Sequence, residues 1–381
     1  MIRRSPREQQ PRARFQPGLG GPSVLSAWVH LRANVLAIVL LASPVAHAQE
    51  PRDVYGKTFE ARDTLAITPD ASEDANECLQ GLAWEAAPFK VTCERAERWQ
   101  YDVLVRFESP RPSGDAKVDS VAAEWSWARD AEGELITAPA LIVIHESGRD
   151  MTVGRLIAQL LSRAGLHTFL VQLPGYDLRR SGSMDETEAM LRLWQQGIAD
   201  VRRARDAAAS LPAVDGNHIG VQGTSLGGFI GTLAAGIDNR FDSVFLLLSG
   251  ADLYSVLQHG DRDAEKTRRR LAEAGYEGEK LKNALYAVEP HRIAHRIAPD
   301  RTWLFSANRD TVVPPRNAQI LADRIELERT HHVVLDADHY SGIIHLPKVI
   351  LQIRGEVLRL HADHAKKGSS DSGANTSSSD Q

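Results

Sequence analysis

Runs of aliphatic residues divide the middle of the chain into a series of buried strands. The runs are Ala140 to Ile144, His167 to Leu173, His218 to Val221, Ser243 to Leu248, Thr302 to Ser306 and Val333 to Leu335. Such continuous apolar runs are typical of strands covered on both faces. Segments with helical periodicity separate them, including Thr152 to Ala164 and Glu186 to Ala209. The alternation predicts an α/β fold, with a mostly parallel central sheet flanked by helices.

The region before this series has a different pattern. Residues 49–100 mix acidic residues with Ala and Pro, and we interpret them as an N-terminal extension with short helical pieces. Tyr101 to Phe107 and Val118 to Trp127 alternate between apolar and polar residues, with Pro110 and Gly114 between them. This alternation predicts an antiparallel hairpin at the edge of the sheet.

The region after the fourth run contains more chain than a simple connection needs. Residues 251–287 are charged and helix-prone, which predicts a small helical lid over the strand ends. A final helix, Pro347 to Leu360, is expected to pack on the sheet. Residues 363–381 are mainly Ser, Gly, Asp and other polar residues, so they are expected to form a disordered tail.

The amino-terminal segment has the features of a secretory signal peptide. Several arginines precede the apolar run Ala33 to Val45, and Ala46-His47-Ala48 is a small-x-small cleavage pattern, so residues 1–48 are expected to be removed before Gln49. An uncleaved membrane anchor is the alternative, although the run falls short of the roughly 20 apolar residues that a span requires. We therefore expect export to the periplasm or medium, with no stable membrane insertion after cleavage.

Charge and composition restrict the possible partners. The chain has 381 residues, of which 43% are hydrophobic and 25% charged, as in an ordinary globular protein. Without residues 1–48, the remaining 39 basic and 49 acidic residues give a formal charge of −10. This acidic balance argues against nucleic acid as a partner. The sequence does not indicate an oligomeric state.

Two cysteines, Cys78 and Cys93, are the only ones in the chain. In an oxidising compartment, a pair at this separation is expected to form a disulfide, worth about 3 kcal/mol on the chain-entropy model. No Cys-x-x-Cys pair is available for metal or redox chemistry, and no cofactor or metal is expected.

The strongest candidate for chemistry is Gly223-Thr224-Ser225-Leu226-Gly227, which lies between a predicted strand and the small-residue helix Phe229 to Ala235. A serine held at positive φ on such a tight turn leaves no room for a β-carbon two residues away on either side. The spacing therefore predicts an exposed Ser225 hydroxyl at the tip of the turn.

A serine hydroxyl needs a histidine to accept its proton and an acid to orient that histidine. Asp310 follows the strand Thr302 to Ser306, and His339 follows Val333 to Leu335, so both fall at strand ends, where such sheets place their sites. The alternative acids are Asp336 and Asp338, which lie too near His339 in sequence to orient it easily. The other candidate histidines are interpreted as structural: His331 and His332 open a strand, His345 precedes a helix, and His145 is expected to brace its loop.

With these three motifs in this order, the chain resembles the α/β-hydrolase superfamily, especially its serine esterases and dienelactone-hydrolase-like members, over residues 101–362. The resemblance implies that Ser225 is the nucleophile, Asp310 the orienting acid and His339 the general base. It also implies an oxyanion hole formed by the amide of Leu226 and a second amide in the loop His145-Glu146-Ser147-Gly148. That second donor is Ser147 or Glu146.

Further residues are expected near the substrate. The loops around Tyr176 and Tyr254 would shape the pocket, and Glu146 would lie beside it. Arg179 and Arg180 are interpreted as a solvated pair, with contact to an acidic substrate group as the alternative.

The predicted activity is hydrolysis of a small-molecule carboxylic ester through an acyl-enzyme. The same three residues also serve amidases and peptidases, but no second domain that would restrict access to peptides is evident. A non-catalytic binding protein with this fold is the alternative from another class, although all three catalytic positions are filled. Dehalogenase chemistry is disfavoured because Ser225 stands where an aspartate nucleophile would be needed.

Overall fold

Ten strands form one mixed sheet in the computed structural model, which describes residues 54–181 and 186–374. In chain order they are β1 (Thr58–Arg62), β2 (Pro88–Arg95), β3 (Val103–Glu108), β4 (Ser120–Ser126), β5 (Ala138–Ile144), β6 (His167–Val171), β7 (Val214–Thr224), β8 (Val244–Leu247), β9 (Thr302–Ala307) and β10 (His332–Leu335). Their spatial order is β1-β2-β3-β4-β6-β5-β7-β8-β9-β10. Strands β5 to β10 pair in parallel, whereas β1 to β4 run antiparallel to their neighbours. This is the architecture of the α/β-hydrolase fold, and it confirms the predicted fold class.

The helices occupy the connections between strands. They are α1 (Glu73–Leu82), α2 (Ala116–Asp119), α3 (Thr152–Arg163), α4 (Glu186–Ala209), α5 (Leu226–Gly236), α6 (Leu253–His259), α7 (Asp263–Glu273), α8 (Gly278–Tyr286), α9 (Pro315–Ile325) and α10 (Leu346–Ala374). The predicted bounds of α4 agree with the observed helix. Helix α9 was not predicted, although Pro315 at its first position is a common helix-start signal.

Strand β5 explains why its apolar run is continuous. Ala140, Ile142 and Ile144 contribute to the core beneath α4, α5 and α9, whereas Leu141 and Val143 contribute to the core beneath α3 and α10. Because successive side chains point to opposite faces, a strand between two helix layers must be apolar at every position. The central strands therefore form a rigid platform whose carboxyl ends carry the candidate site.

The segment 54–100 contains a short helix, α1, as predicted, but it also contributes two strands to the sheet, which the prediction of an extension did not include. Strands β1 and β2 extend the antiparallel edge of the sheet, and β2 pairs with β3. Along β2, Phe89, Val91 and Cys93 are buried while the intervening residues are more exposed. This alternation is the pattern of a strand with one face on the core.

The predicted disulfide is absent, because Cys78 and Cys93 are both free. Each thiol is buried in the apolar core, Cys78 on the inner face of α1 and Cys93 on the inner face of β2. Burial raises the pKa of Cys78 to about 11 and that of Cys93 to about 12. The two residues therefore act as small apolar side chains that fill the core.

Buried ion pairs attach the segment 54–100 to α4. Asp63 pairs with Arg203 at 2.8 Å, and Thr64 Oγ1 donates to Asp206 Oδ1 at 2.8 Å. Arg202, on the same helix, pairs with Asp206 at 3.0 Å. Charged groups that are buried in this way hold their partners firmly, since separating them would leave an uncompensated charge.

The chain between β8 and β9 contains the predicted helical insertion. Helices α6, α7 and α8 form it. At the carboxyl terminus, α10 continues to Ala374, so the predicted tail is helical in its first part. Ala365, Lys366 and Lys367 are strong helix formers, and extending an existing helix is far easier than nucleating one. Residues 375–381 lie outside the described residues.

The predicted signal peptide, residues 1–48, also lies outside the described residues. Within residues 54–181 and 186–374, no helix combines the length and apolarity needed to cross a membrane.

Candidate active site

Ser225 occupies a strained turn between β7 and α5. Its backbone has φ 53° and ψ −114°, a combination that a non-glycine residue seldom adopts and that costs about 1–3 kcal/mol. The Ser225 amide donates to Leu247 O at 2.8 Å, which fixes the turn to the neighbouring strand. The positive φ expected from the sequence is therefore present.

Glycine is required on both sides of this turn. A β-carbon on Gly223 would lie 2.1 Å from Gly227 O, and one on Gly227 would lie 2.3 Å from Ile144 O. Gly228 is similarly close to Ser249, at 2.4 Å from its Cβ. Contacts of this length with backbone atoms are not possible, so the predicted steric reason for the Gly-x-Ser-x-Gly spacing is confirmed.

The structure brings the three predicted residues Ser225, His339 and Asp310 together. Ser225 Oγ lies 3.0 Å from His339 Nε2, and His339 Nδ1 lies 2.7 Å from Asp310 Oδ2. The side chains of His339 and Asp310 are only 8% and 2% exposed, so water cannot easily compete for their contact. This arrangement can transfer a proton from the serine hydroxyl to the imidazole while the carboxylate fixes the tautomer of the ring.

Asp310 is held in position by its own loop. Its Oδ1 atom accepts the backbone N–H groups of Val312 at 2.8 Å and Val313 at 2.9 Å. Because this oxygen is occupied, Oδ2 remains to face His339. One carboxylate thus makes three hydrogen bonds with a fixed direction.

The alternative acids do not contact His339. Asp336 is exposed and pairs with Arg309, while Asp338 Oδ1 accepts the amides of Tyr340 and Ser341 within its own turn. These interactions explain why two carboxylates so close in sequence to His339 are directed elsewhere.

The other histidines have structural contacts. His331 Nδ1 lies 2.9 Å from Pro299 O, and His332 Nε2 lies 2.9 Å from Ser306 Oγ. His145 is fully buried: its Nδ1 donates to Glu146 O at 2.6 Å and its Nε2 accepts from Leu173 N at 3.1 Å. Burial lowers the pKa of His145 to about 4, so the ring is neutral and braces its loop as expected. His345 is half-buried next to the start of α10.

The predicted oxyanion donors lie near Ser225. Leu226 is the first residue of α5, so its N–H has no carbonyl one turn earlier within the helix. Ser147 and Leu226 line the same cavity as Ser225. Tyr176 Oη donates to Ser147 O at 3.2 Å, and its ring packs on His145 with centroids 4.4 Å apart. The loop that carries Ser147 is therefore held against the site.

Glu146 does not line the cavity, which corrects its predicted role beside the substrate. Its two carboxylate oxygens accept the N–H groups of Val153 and Gly154, each at 3.0 Å. These amides are free donors in the first turn of α3, where a negative charge is also favoured by the helix dipole. Glu146 caps that helix, and Ser147 is the member of the pair that faces the cavity.

The cavity beside Ser225 has a volume of about 950 Å³. Its apolar walls come from five parts of the chain: Leu173, Met190, Leu193, Trp194, Phe229, Ile230, Leu253, Val256, Leu257, Val312 and Val313. Tyr176 lines the cavity as predicted, whereas Tyr254 does not and packs on the core instead. The period of α6 explains this difference, because Leu253, Val256 and Leu257 share one face of the helix and Tyr254 lies off it.

Six cationic and four acidic side chains also line this cavity, in a chain whose formal charge is −5. Arg98 and Arg155 share Asp177, at 2.5 and 2.6 Å, and Arg155 also pairs with Glu124 at 2.5 Å, so both cations are neutralised. The other four cations have no side-chain partner among the described residues; they are Arg149, Arg180, Lys266 and Arg270. The cavity thus combines an apolar interior with positive charge.

Arg179 and Arg180 do not form the solvated pair that was expected. Arg179 is fully buried and pairs with Asp200 at 2.7 Å, and its guanidinium also donates to Val118 O and Gln172 O. Arg180 is exposed and lines the cavity. The two neighbours therefore have different roles, because one turns inward to a carboxylate on α4.

The loop of His339 is connected to the helical insertion. Tyr340 Oη donates to Asp263 Oδ2 at 3.0 Å, and the guanidinium of Arg262 lies 4.9 Å from the centre of the Tyr340 ring. Burial and the neighbouring Asp263 raise the pKa of Tyr340 to about 12. His339 itself lines a second cavity of about 280 Å³ together with Arg262 and Tyr340. None of these insertion contacts was predicted, since they join residues far apart in sequence.

Among known proteins, similarity was found to solved structures but not to family models or curated sequences. No family model matches the chain, and no curated protein matches it. An acetyl xylan esterase from Paenibacillus sp. R4 is 16% identical with a TM-score of 0.49, over 76% of this chain and 92% of that one. Acetyl xylan esterase 1 from Thermoanaerobacterium sp. JW/SL YS485 is 18% identical with a TM-score of 0.49, over 75% and 96%. A cold-adapted esterase from an Arctic intertidal metagenomic library is 16% identical with a TM-score of 0.42, over 67% and 94%.

Proposed function

We propose that this protein is a serine hydrolase that cleaves small carboxylic esters through an acyl-enzyme. The observation that supports this most is the continuous contact from Ser225 Oγ to His339 Nε2 at 3.0 Å and from His339 Nδ1 to Asp310 Oδ2 at 2.7 Å. These distances are within the range required of a nucleophile, its base and the group that orients the base.

The proposed reaction begins with attack of Ser225 Oγ on the ester carbonyl carbon. His339 Nε2 accepts the serine proton, and the resulting imidazolium is stabilised by Asp310. The negative charge on the carbonyl oxygen is stabilised by the amide of Leu226 and by a second amide, for which Ser147 is our candidate. Collapse of the intermediate transfers the proton from His339 to the leaving alcohol, and water then hydrolyses the acyl-Ser225 ester by the same steps.

The direct test is hydrolysis of p-nitrophenyl acetate by Ser225→Ala. The substitution removes only the hydroxyl oxygen and leaves the glycines of the turn unchanged, so the variant is expected to fold normally and to lose turnover. Ser341→Ala is a suitable control, since it removes a hydroxyl from the loop of His339 without touching the proposed nucleophile. Turnover by Ser225→Ala at the wild-type rate would disprove the assignment.

We further propose that the preferred ester carries an anionic group. The support is a set of cations around the apolar interior of the cavity that have no side-chain partner within residues 54–181 and 186–374: Arg149, Arg180, Lys266 and Arg270. A carboxylate on the substrate would form charge-assisted hydrogen bonds with them. Because all four side chains are exposed, each such contact is worth roughly 0.2–1 kcal/mol, and two or three together would give about 1.4 kcal/mol.

A matched substrate pair tests this preference. We expect kcat/KM for 4-acetoxybenzoate to exceed that for its neutral methyl ester by about tenfold, corresponding to about 1.4 kcal/mol. The ratio of the two kcat/KM values is expected to fall towards one in the double variant Arg180→Gln/Lys266→Gln and at high salt. Cleavage of the acetate group from the neutral substrate is expected to continue under both conditions. Equal kcat/KM values for the two esters would contradict the anionic preference without affecting the proposed mechanism.

The proposed location is outside the cytoplasm, in the periplasm or the medium. The support is the arginine-rich, then apolar, then small-x-small order of residues 1–48. Amino-terminal sequencing of the protein recovered from its native compartment is expected to begin at Gln49. Recovery of the full-length chain from the cytoplasm alone would contradict export.

A further inference from the structure

Three histidines and an aspartate meet where β7 begins, at the opposite end of that strand from Ser225. Asp215 and His218 lie near the start of β7, and His361 and His364 lie on α10. Regular pairing of β7 with β5 begins at Ile219, and the six residues from there to Ser225 correspond to roughly 20 Å, so this cluster is remote from the candidate active site. None of its members takes part in the proposed hydrolysis.

Three of the four side chains place a ligand atom at one point, and His364 packs beside them. Asp215 Oδ2 lies 2.8 Å from His218 Nδ1 and 3.2 Å from His361 Nε2, and these three atoms all lie within 4.8 Å of one another. The His218 ring is 4.6 Å from the ring of His361 and 5.0 Å from that of His364, measured between centroids. The two α10 histidines are three residues apart, which places them on one face of the helix.

These separations suit a tetrahedral metal ion. Zinc binds imidazole nitrogen and carboxylate oxygen at about 2.0–2.2 Å, so two ligands on a tetrahedron lie roughly 3.3 Å apart. The measured 3.2 Å agrees with that spacing, and 2.8 Å would need only a small side-chain rotation. Asp215, His218 and His361 are the only three-member group of His, Cys, Asp and Glu ligand atoms with metal-like spacing among the described residues.

The surroundings favour binding from solution. The side chains of His218 and Asp215 are 14% and 21% exposed, so they are held in place by their neighbours, whereas His361 is 39% exposed and leaves a path for entry. His364 is exposed at the edge of the cluster, where rotation of its side chain would bring it to a fourth position.

We propose that Asp215, His218 and His361, with His364 as the fourth ligand, form a zinc site that fastens α10 to the start of β7. Binding would replace the two hydrogen bonds to Asp215 with metal bonds. A neutral histidine would carry its proton on the ring nitrogen that does not bind zinc, and a protonated one would release one proton to solvent. Because the ligands come from two elements that are far apart in sequence, the ion would bind the folded chain in preference to the unfolded one and would stabilise it.

The test is titration of the full chain with Zn²⁺ after removal of bound metal by a chelator, using protein without a polyhistidine tag. Calorimetry is expected to give one ion per chain with a micromolar or lower Kd. At a free Zn²⁺ concentration 100 times the Kd, the stabilisation would be about 2.7 kcal/mol, which is measured as a rise in Tm. Binding only in the millimolar range, or no rise in Tm, would overturn the proposal, because the four residues would then form only a hydrogen-bonded cluster.

Substitutions separate this site from adventitious binding. His218→Ala and His361→Ala are each expected to weaken Zn²⁺ binding at least 100-fold, whereas His345→Ala, at the other end of α10, is expected to bind as the wild type does. Co²⁺ in the wild-type protein is expected to give the intense visible absorption of a tetrahedral site, which tests the geometry even where a variant fails to fold. Unchanged Zn²⁺ affinity in His218→Ala, or the weak spectrum of an octahedral Co²⁺ site, would contradict the assignment.

Discussion

Asp310→Asn is the substitution that examines the proposed relay most closely, because it changes one atom and alters the tautomer of His339. In the native loop, Asp310 Oδ1 accepts two backbone N–H groups, from Val312 and Val313, and Oδ2 accepts from His339 Nδ1. An asparagine can keep the two backbone hydrogen bonds only by placing its oxygen at the Oδ1 position. Its NH₂ group then faces His339 Nδ1.

This orientation forces the imidazole proton to the wrong nitrogen. Nδ1 must accept a hydrogen bond from the asparagine, so the proton moves to Nε2, which can no longer accept the Ser225 proton. The opposite orientation would place the NH₂ group against the two backbone donors and leave buried donors unpaired, at about 1–3 kcal/mol each. The first orientation is therefore expected, with a loss of about 10⁴-fold in kcat, which is about 5.4 kcal/mol of transition-state stabilisation.

The assay is steady-state hydrolysis of p-nitrophenyl acetate, with Tm measured on the same preparations. The fold is expected to be retained, since the volume of the side chain and its two backbone contacts are kept. Asp338→Asn is the matched control, because it makes the same chemical change next to His339 in a carboxylate that accepts only from its own turn. Its kcat is expected to be close to the wild-type value. A kcat within tenfold of wild type for Asp310→Asn would refute the proposed role of Asp310.

Three further predictions concern the turn, the buried histidines and the cysteines. Gly227→Ala places a β-carbon 2.3 Å from a backbone carbonyl oxygen of β5, so it is expected to cost about 3 kcal/mol and to lower Tm by several degrees. Gly81→Ala is the control, since the space around Gly81 is open and Tm is expected to stay unchanged or rise. Equal Tm values for the two variants would contradict the steric argument. Burial lowers the pKa values of His145 and His167 from 6.5 to about 4, so the unfolded chain takes up protons at a higher pH than the folded chain does. In urea denaturation, the free energy of unfolding should be highest above pH 6.5 and should fall towards pH 4, by on the order of 3 kcal/mol for each histidine. A free energy of unfolding that does not change over this range would contradict the buried neutral rings. Both cysteines are free and buried, so a thiol reagent should find none in the native protein and two in denaturant, and none in denaturant would indicate a disulfide.

The central part of the fold could be predicted because its strands lie between two helix layers. Strand β5 has no polar residue between Ala138 and Ile144, and α4 has a clear apolar face. The local sequence pattern is therefore enough to predict each element. Strands β1 and β2 are different, since charged residues such as Glu60 and Lys90 occupy their exposed face and obscure the alternation. A sequence read one segment at a time does not reveal that such strands join an existing sheet.

The candidate site could be predicted where residue type and position at a strand end were sufficient. Ser225, Asp310 and His339 each follow a parallel strand, and parallel strands bring their carboxyl ends to one edge. The strand before His339, β10, was expected to be buried but is partly exposed at the end of the sheet. Glu146 and Arg179 were placed wrongly because their partners are set by tertiary structure. Glu146 meets the free amides of α3, and Arg179 meets Asp200 inside the protein.

The cavity was the least predictable feature. Its lining combines residues from several connections, including α6 and the loop of Val312 and Val313, with cations from the loops after β5 and β6 and from α7. Which face of α6 turns towards Ser225 depends on how the insertion packs, and no local pattern determines that. The role of Tyr254 was therefore wrong, although Tyr176 does line the cavity.

Covalent labelling of the native protein by a fluorophosphonate, followed by peptide mass spectrometry, tests the central claim most directly. A serine activated by His339 and Asp310 attacks the phosphorus centre, so the account predicts stoichiometric modification at Ser225 and loss of ester hydrolysis in parallel. Labelling should disappear in Ser225→Ala and be strongly slowed in His339→Ala. An unmodified Ser225 in protein that still hydrolyses p-nitrophenyl acetate would contradict the account.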